Sequence, residues 1–143
     1  MNSRKRSAGF TLMELLVVLV IIGLLAGLVA PKFLKRAEDA DVKAAQAQIV
    51  HFKGALETMR LDIGRFPNAA EGLNMLVQAP TDARLAAKWK GPYMDEIPLD
   101  PWGNPYQYSV PGAKNQPFAL YSFGADGKRG GEGNDADVGI LPP

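Results

Sequence analysis

Sixteen consecutive residues, Leu15 to Ala30, carry no charge and only two glycines. Basic residues border the run on both sides, with Arg4, Lys5 and Arg6 before it and Lys32, Lys35 and Arg36 after it. This is the pattern of a membrane segment. A helix from Phe10 to Ala30 would be roughly 31 Å long, close to the hydrocarbon thickness of a bilayer. Glu14 does not fit an ordinary anchor, because a carboxylate at mid-helix in lipid costs about 2.5–3.5 kcal/mol. It either lies near enough to the interface to be hydrated or has a partner. Hydropathy alone reads as a plain N-terminal signal anchor, with Arg4, Lys5 and Arg6 held inside. A cleaved secretory signal does not fit, since no small-residue A-x-A site follows the apolar region.

At 143 residues, one such segment and one small soluble domain fill the chain. The balance of 16 basic to 15 acidic residues gives no global electrostatic preference, so nucleic acid is not an expected partner. Cysteine is absent, which excludes a disulfide framework and a thiolate metal site. The soluble part, about 80 residues rich in Gly and Pro, supports only a small core. A metal ion or assembly contacts would supplement it.

The motif Gly9-Phe10-Thr11-Leu12-Met13-Glu14 resembles the class III leader junction of type IV pilins and type II secretion pseudopilins. The resemblance implies that prepilin peptidase cuts after Gly9 and that Phe10 becomes the N-methylated first residue. It also gives Glu14 a role. Cleavage creates an α-amino cation at Phe10, which in a bundle of staggered helices could sit beside a Glu14 carboxylate in a medium of low dielectric and set the register. Pairing within one chain and pairing with the next both remain open.

Beyond the apolar run the helix is expected to continue. Gly23, Gly27 and Pro31 weaken it, so a kink or local melting is expected there. The G-x-x-x-G of Gly23 and Gly27 permits either close helix approach or flexibility. Val42, Ala45, Ile49, Phe52, Leu56, Met59 and Ile63 follow a three-and-four spacing that lays one apolar stripe along a helix ending at Gly64. The stripe carries the core of the soluble domain. His51, the single histidine, falls beside it and reads as structural. Gly64 and Pro67 end the helix, and a second short helix with Leu73, Leu76 and Val77 turned inward follows.

The stretches D-I-G-R-F-P, E-G-L-N-M-L-V-Q-A-P and G-P-Y-M-D-E-I-P-L-D-P-W-G-N-P-Y-Q-Y are similar to the major pseudopilins of type II secretion, and the similarity covers nearly the whole chain. Read by its residues, the last of them is a turn at Pro101 to Pro105 feeding a strand near Tyr106, with Trp102 as an apolar plug. Pro111-Gly112 makes the next turn and Phe118 to Ser122 a second strand. The expected fold is α+β and type IV pilin-like: a long N-terminal helix packed on a small antiparallel sheet, with a C-terminal calcium loop. Its expected segments are a leader (1–9), a membrane-spanning and fibre-core helix (10–30), an amphipathic continuation (31–63) and a globular α/β region (64–143) with the loop at about 122–139.

That loop reads F-G-A-D-G-K-R-G-G-E-G-N-D-A-D-V. Its glycines allow a tight turn, and Asp126, Asp135 and Asp137 can converge with Glu132, Asn134 and backbone carbonyls. Such hard oxygen donors suit calcium, which takes about six to eight of them. Spacing alone favours a solvated acidic loop, because the EF-hand pattern is absent. The family resemblance reverses this and implies calcium held by Asp126 and the Asp135/Asp137 pair, with the carbonyls of Phe123 and Val138 helping. The chain departs from the family at its end, where G-I-L-P-P stands in place of the usual G-N-W.

No catalytic constellation is visible. There is no cysteine nucleophile, no G-x-S-x-G and no P-loop, and the aspartate loop has no apolar pocket to tune paired carboxylates. The resemblance implies a structural subunit with its helix in the bacterial inner membrane and its domain in the periplasm. It would polymerise with copies of itself and with minor pseudopilins, after prepilin peptidase and the inner-membrane assembly platform of the secretion system have acted. Two other readings share this topology: a type IV pilin of a surface fibre, and a signal-anchored periplasmic binding protein.

Overall fold

The computed structural model describes residues 9–143; Arg4, Lys5, Arg6 and the rest of the expected leader before Gly9 lie outside the described residues. Helix α1 (Leu12–Ile63) runs for 52 residues. Pro31 lies inside it, so the local melting expected around Gly23 to Pro31 does not occur. A proline forfeits one i→i−4 hydrogen bond, and the helix continues across that loss. Gly64 ends α1 with φ +92° and an N–H that donates to the Arg60 carbonyl at 2.7 Å. Only glycine adopts that left-handed conformation without a Cβ penalty.

Two compact units divide the chain, one ending at Ala37 and one running from Glu38 to Pro143. In the first, every described residue is exposed. Leu24 and Leu28 are each 71% exposed, and this part of α1 is long and apolar enough to cross a membrane. Burying a side chain of this kind stabilises by roughly 1.5–3 kcal/mol. A run of them left in water therefore calls for lipid or for neighbouring helices.

The second unit is built on the expected stripe. Ala45, Ile49, Phe52, Leu56, Met59 and Ile63 are buried, and Val42 packs against them half-buried. Ala55 joins the face, while His51 beside it is exposed. Against this face lies a three-stranded antiparallel sheet, β1 (Gln107–Ser109), β2 (Ala119–Ser122) and β3 (Val138–Ile140), in the order β1-β2-β3. Tyr108 pairs with Leu120 and Leu120 with Ile140. Phe118, Leu120, Tyr106 and Val138 enter the core, with Phe52 and Tyr106 meeting edge to face at 5.1 Å. Burial, helped by the charge of Asp100, pushes the Tyr106 hydroxyl up to about 12. The third strand was not expected from the sequence, where V-G-I is too short and too close to glycines to stand out. Its middle residue, Gly139, has φ +127°, and a Cβ there would lie 2.8 Å from Cδ1 of Ile49 and against the Leu120 carbonyl. Glycine is what lets β3 approach both β2 and α1 so closely.

Between helix and sheet the chain is tied by polar contacts. Arg65 grips Glu71 through two hydrogen bonds of 2.7 Å. Glu71 also accepts from the Asn68 N–H at 2.8 Å, and the Arg65 bond leads in holding its carboxyl below the usual range. The expected second helix is a 3-10 turn, Gly72–Leu76, that buries Leu73, Met75 and Leu76, with Val77 packed beside them. A further short helix, α2 (Ala83–Ala86), is capped by Asp82, whose carboxylate accepts the N–H groups of Arg84 and Leu85. Four residues leave no periodicity to read, and α2 was missed for that reason.

Candidate functional site

Two places carry the residues singled out from sequence: the start of α1 and the loop between β2 and β3. At the first, Gly9 and Phe10 lie outside the helix and are exposed, Phe10 at 84%. Thr11 occupies the N-cap place. Its Oγ1 accepts the Glu14 N–H at 3.2 Å, while Glu14 Oε2 accepts the Thr11 N–H at 2.8 Å and the Thr11 hydroxyl at 3.2 Å. This reciprocal pair is a capping box, which satisfies donors that the first helical turn leaves without partners. The helix therefore starts at Leu12 rather than Phe10. In the single chain, the Glu14 carboxylate is engaged by its own helix terminus. The T-x-x-E spacing that encodes the box is legible in the sequence, though the apolar run draws attention away from it.

The loop at 123–137 is drawn together mostly by backbone. Ala125 donates to the Asn134 carbonyl at 3.0 Å. Gly124 has φ +73°, and a Cβ on it would stand 2.8 Å from the Asp135 carbonyl carbon and 2.8 Å from the Ala136 oxygen. The 3-10 turn Gly133–Asp135 then leads into β3. The three aspartates have different surroundings. Asp126 is exposed and accepts the Lys128 N–H at 2.9 Å. Asp135 is exposed. Asp137 is half-buried: Oδ2 accepts the Gly130 N–H at 3.0 Å, and Oδ1 is buried with no hydrogen-bond partner.

A three-carboxylate convergence is not what forms here. Among the described residues no group of three His, Asp or Glu side chains gathers to hold a metal. The donor set instead centres on one orphaned carboxylate oxygen in a loop rich in carbonyls. A buried acceptor without a partner costs about 1–3 kcal/mol. Such an oxygen suits a hard cation, and calcium accepts carbonyl oxygens alongside carboxylates. The residues present fit that ion, with Asp137 the better placed of the Asp135/Asp137 pair.

Two contacts beside the loop were not read from the sequence. Trp102, half-buried rather than a plain apolar plug, donates its indole N–H to Asn134 Oδ1 at 3.2 Å. Asp100 and Ser122, both buried, hydrogen-bond to each other from opposite sides of a long connection. The D-P-W-G-N spelling signals a turn, but no spacing rule links it to a serine in another strand.

Comparison with known proteins places these features in a family. The model of the type II secretion system (T2SS), protein G family matches residues 32–141, and that of the prokaryotic N-terminal methylation motif matches residues 4–30. The type II secretion system core protein G of Pseudomonas aeruginosa is 47% identical over 137 residues, spanning 95% of this chain and 96% of the relative. Its counterpart in Vibrio cholerae is 42% identical over 97% of this chain and 94% of its own length. That of Escherichia coli K12 is 40% identical over 98% and 97%. Among solved structures, the crystal structure of the major pseudopilin from the type 2 secretion system of enterohaemorrhagic Escherichia coli matches with a TM-score of 0.57 at 30% identity. The match covers 73% of this chain and 89% of that one.

Proposed function

The chain belongs to the type II secretion system protein G family, and from that premise we propose that it is the major structural subunit of the type II secretion pseudopilus, polymerised to drive protein export across the outer membrane. The observation that carries this reading is the apolar surface of α1 from Leu15 to Ala30, every residue of which is exposed. In the precursor that surface sits in the inner membrane, with the globular unit in the periplasm. In the fibre it is covered by the helices of other copies.

Prepilin peptidase cuts after Gly9, and Phe10 becomes the N-methylated terminus. The exposed, non-helical backbone at Gly9 and Phe10 supports that access. The new amine adds a cation one residue from the capping box. Glu14 can then exchange its bonds to Thr11 for a neighbour's Phe10 amine, which sets the register between helices. Minor pseudopilins join the same fibre, and the inner-membrane assembly platform extracts the subunits from lipid. A calcium ion bound by Asp137 and Asp126, with Asp135 and the carbonyls of Phe123 and Val138 as further donors, would supply positive charge that ties the loop together. The orphaned Asp137 oxygen supports that ion.

Mass spectrometry of the chain co-expressed with a prepilin peptidase tests the processing: the expected product starts at N-methylated Phe10, and an intact Met1 terminus refutes it. For the ion, adding calcium to the chelator-treated chain raises Tm in the wild type and leaves an Asp137→Ala variant unmoved. An equal Tm with calcium and with chelator in the wild type removes calcium from the account.

A further inference from the structure

The β2–β3 loop is held from outside by the turn that precedes the sheet. Asp100 is only 5% exposed, and both of its carboxylate oxygens are occupied. Oδ1 accepts the N–H groups of Trp102 at 3.1 Å and Asn104 at 2.8 Å, which closes the D-P-W-G-N turn. Oδ2 accepts the hydroxyl of Ser122, a fully buried residue at the end of β2. The Ser122 oxygen in turn accepts the Gly124 N–H at 3.1 Å. Gly124 is where the two limbs of the loop touch backbone to backbone. On the far limb, Asn134 receives the Trp102 indole at its side chain and the Ala125 N–H at its carbonyl. One turn thus grips the loop at both limbs without supplying it a free donor oxygen.

We propose that Asp100 is a positioning residue for the cation loop. Acting through Ser122 it fixes the Gly124 turn, and with the Trp102–Asn134 bond it makes turn 100–104 and loop 123–138 order as one body. The inference rests on the calcium reading above. The physical reason is pre-organisation: an ion that must first close a loose loop binds more weakly by the fraction of chains already closed. A buried carboxylate suits this role, because bonds to an ionised acceptor are shorter and stronger than neutral ones.

The test is calcium titration by calorimetry on the full chain in detergent micelles, with the melting temperature of the calcium-free chain measured in parallel. Ser122→Ala removes the relay to Gly124 and touches no proposed ligand. It is expected to weaken calcium binding about five- to tenfold, the net worth of one hydrogen bond. Asp100→Asn keeps an acceptor for the turn but faces Ser122 with a donor; it should weaken binding similarly, and it carries the comparison if Ser122→Ala does not fold. Tyr93→Phe, which loses a bond to Asp62 remote from the loop, should lower Tm and leave the calcium Kd unchanged. The inference is overturned if Ser122→Ala or Asp100→Asn behaves like Tyr93→Phe, with lower Tm and a Kd within twofold of wild type. If the wild type binds no calcium, the calcium reading falls and takes this inference with it.

Discussion

Gly139→Ala probes the closest approach in the globular unit. The added Cβ would meet the Leu120 carbonyl, a backbone atom fixed by the β2 ladder, and would stand 2.8 Å from Cδ1 of Ile49. The Ile49 methyl can rotate away; the carbonyl cannot without breaking strand pairing. Residue 139 also sits at φ +127°, where an L side chain costs about 1–3 kcal/mol. Overpacking adds roughly 1–3 kcal/mol. Together the substitution should cost about 2–6 kcal/mol. For a domain of this size each kcal/mol lowers Tm by roughly 4–8 °C, so a drop of about 8 °C or more is expected. Near-UV circular dichroism of the full chain in detergent, followed through thermal unfolding, measures it. Pairing the change with Ile49→Val separates the two contacts, since that truncation relieves only the side-chain clash and should restore little. A Gly139→Ala variant melting within 2 °C of wild type, or one fully rescued by Ile49→Val, would refute the account of β3 docking.

Two further perturbations address the ties around the core and the helix start. The Arg65 bond leads in lowering the Glu71 pKa from 4.5, so its contribution is present above the unfolded value and is lost as pH falls through the folded one. Wild type should therefore lose stability to Glu71→Gln progressively less as pH drops below about 4.5, and a difference between the two proteins that stays constant from pH 7 to 3 in urea unfolding contradicts this. Thr11→Ala breaks the capping box and should cost about 1 kcal/mol of local helix stability. Amide exchange at Leu12 to Leu15 is expected to accelerate about fivefold, whereas unchanged protection would mean that the box holds nothing.

The long helix was legible because both of its signals are local and repeated. An uncharged run of sixteen residues and a seven-member apolar stripe leave few alternatives, and burial follows that stripe from Ala45 to Ile63. Gly64 as helix end and Leu73 and Leu76 as inward residues were legible for the same reason. Proline at position 31 pointed to a kink or local melting, and the helix does not melt there, because a long helix forfeits one bond and keeps all its others. The aspartate loop was legible as a region but not in detail. Spacing alone favoured a solvated acidic loop and the family resemblance a convergence of its aspartates, and only the folded loop separates the exposed Asp126 and Asp135 from Asp137.

Hydropathy and period alone determine that this chain has a segment long and apolar enough to span a bilayer and a helix that continues past it. These are properties of neighbouring residues, and neighbours are what a sequence orders. Tertiary structure decided the contacts between distant residues: Asp100 with Ser122, Trp102 with Asn134, and Gly139 against Ile49. Each depends on the loop geometry that carries the chain back to the same place. It also decided that Glu14, in the single chain, serves its own helix. A carboxylate three residues from a free N–H of the first turn is within reach of it.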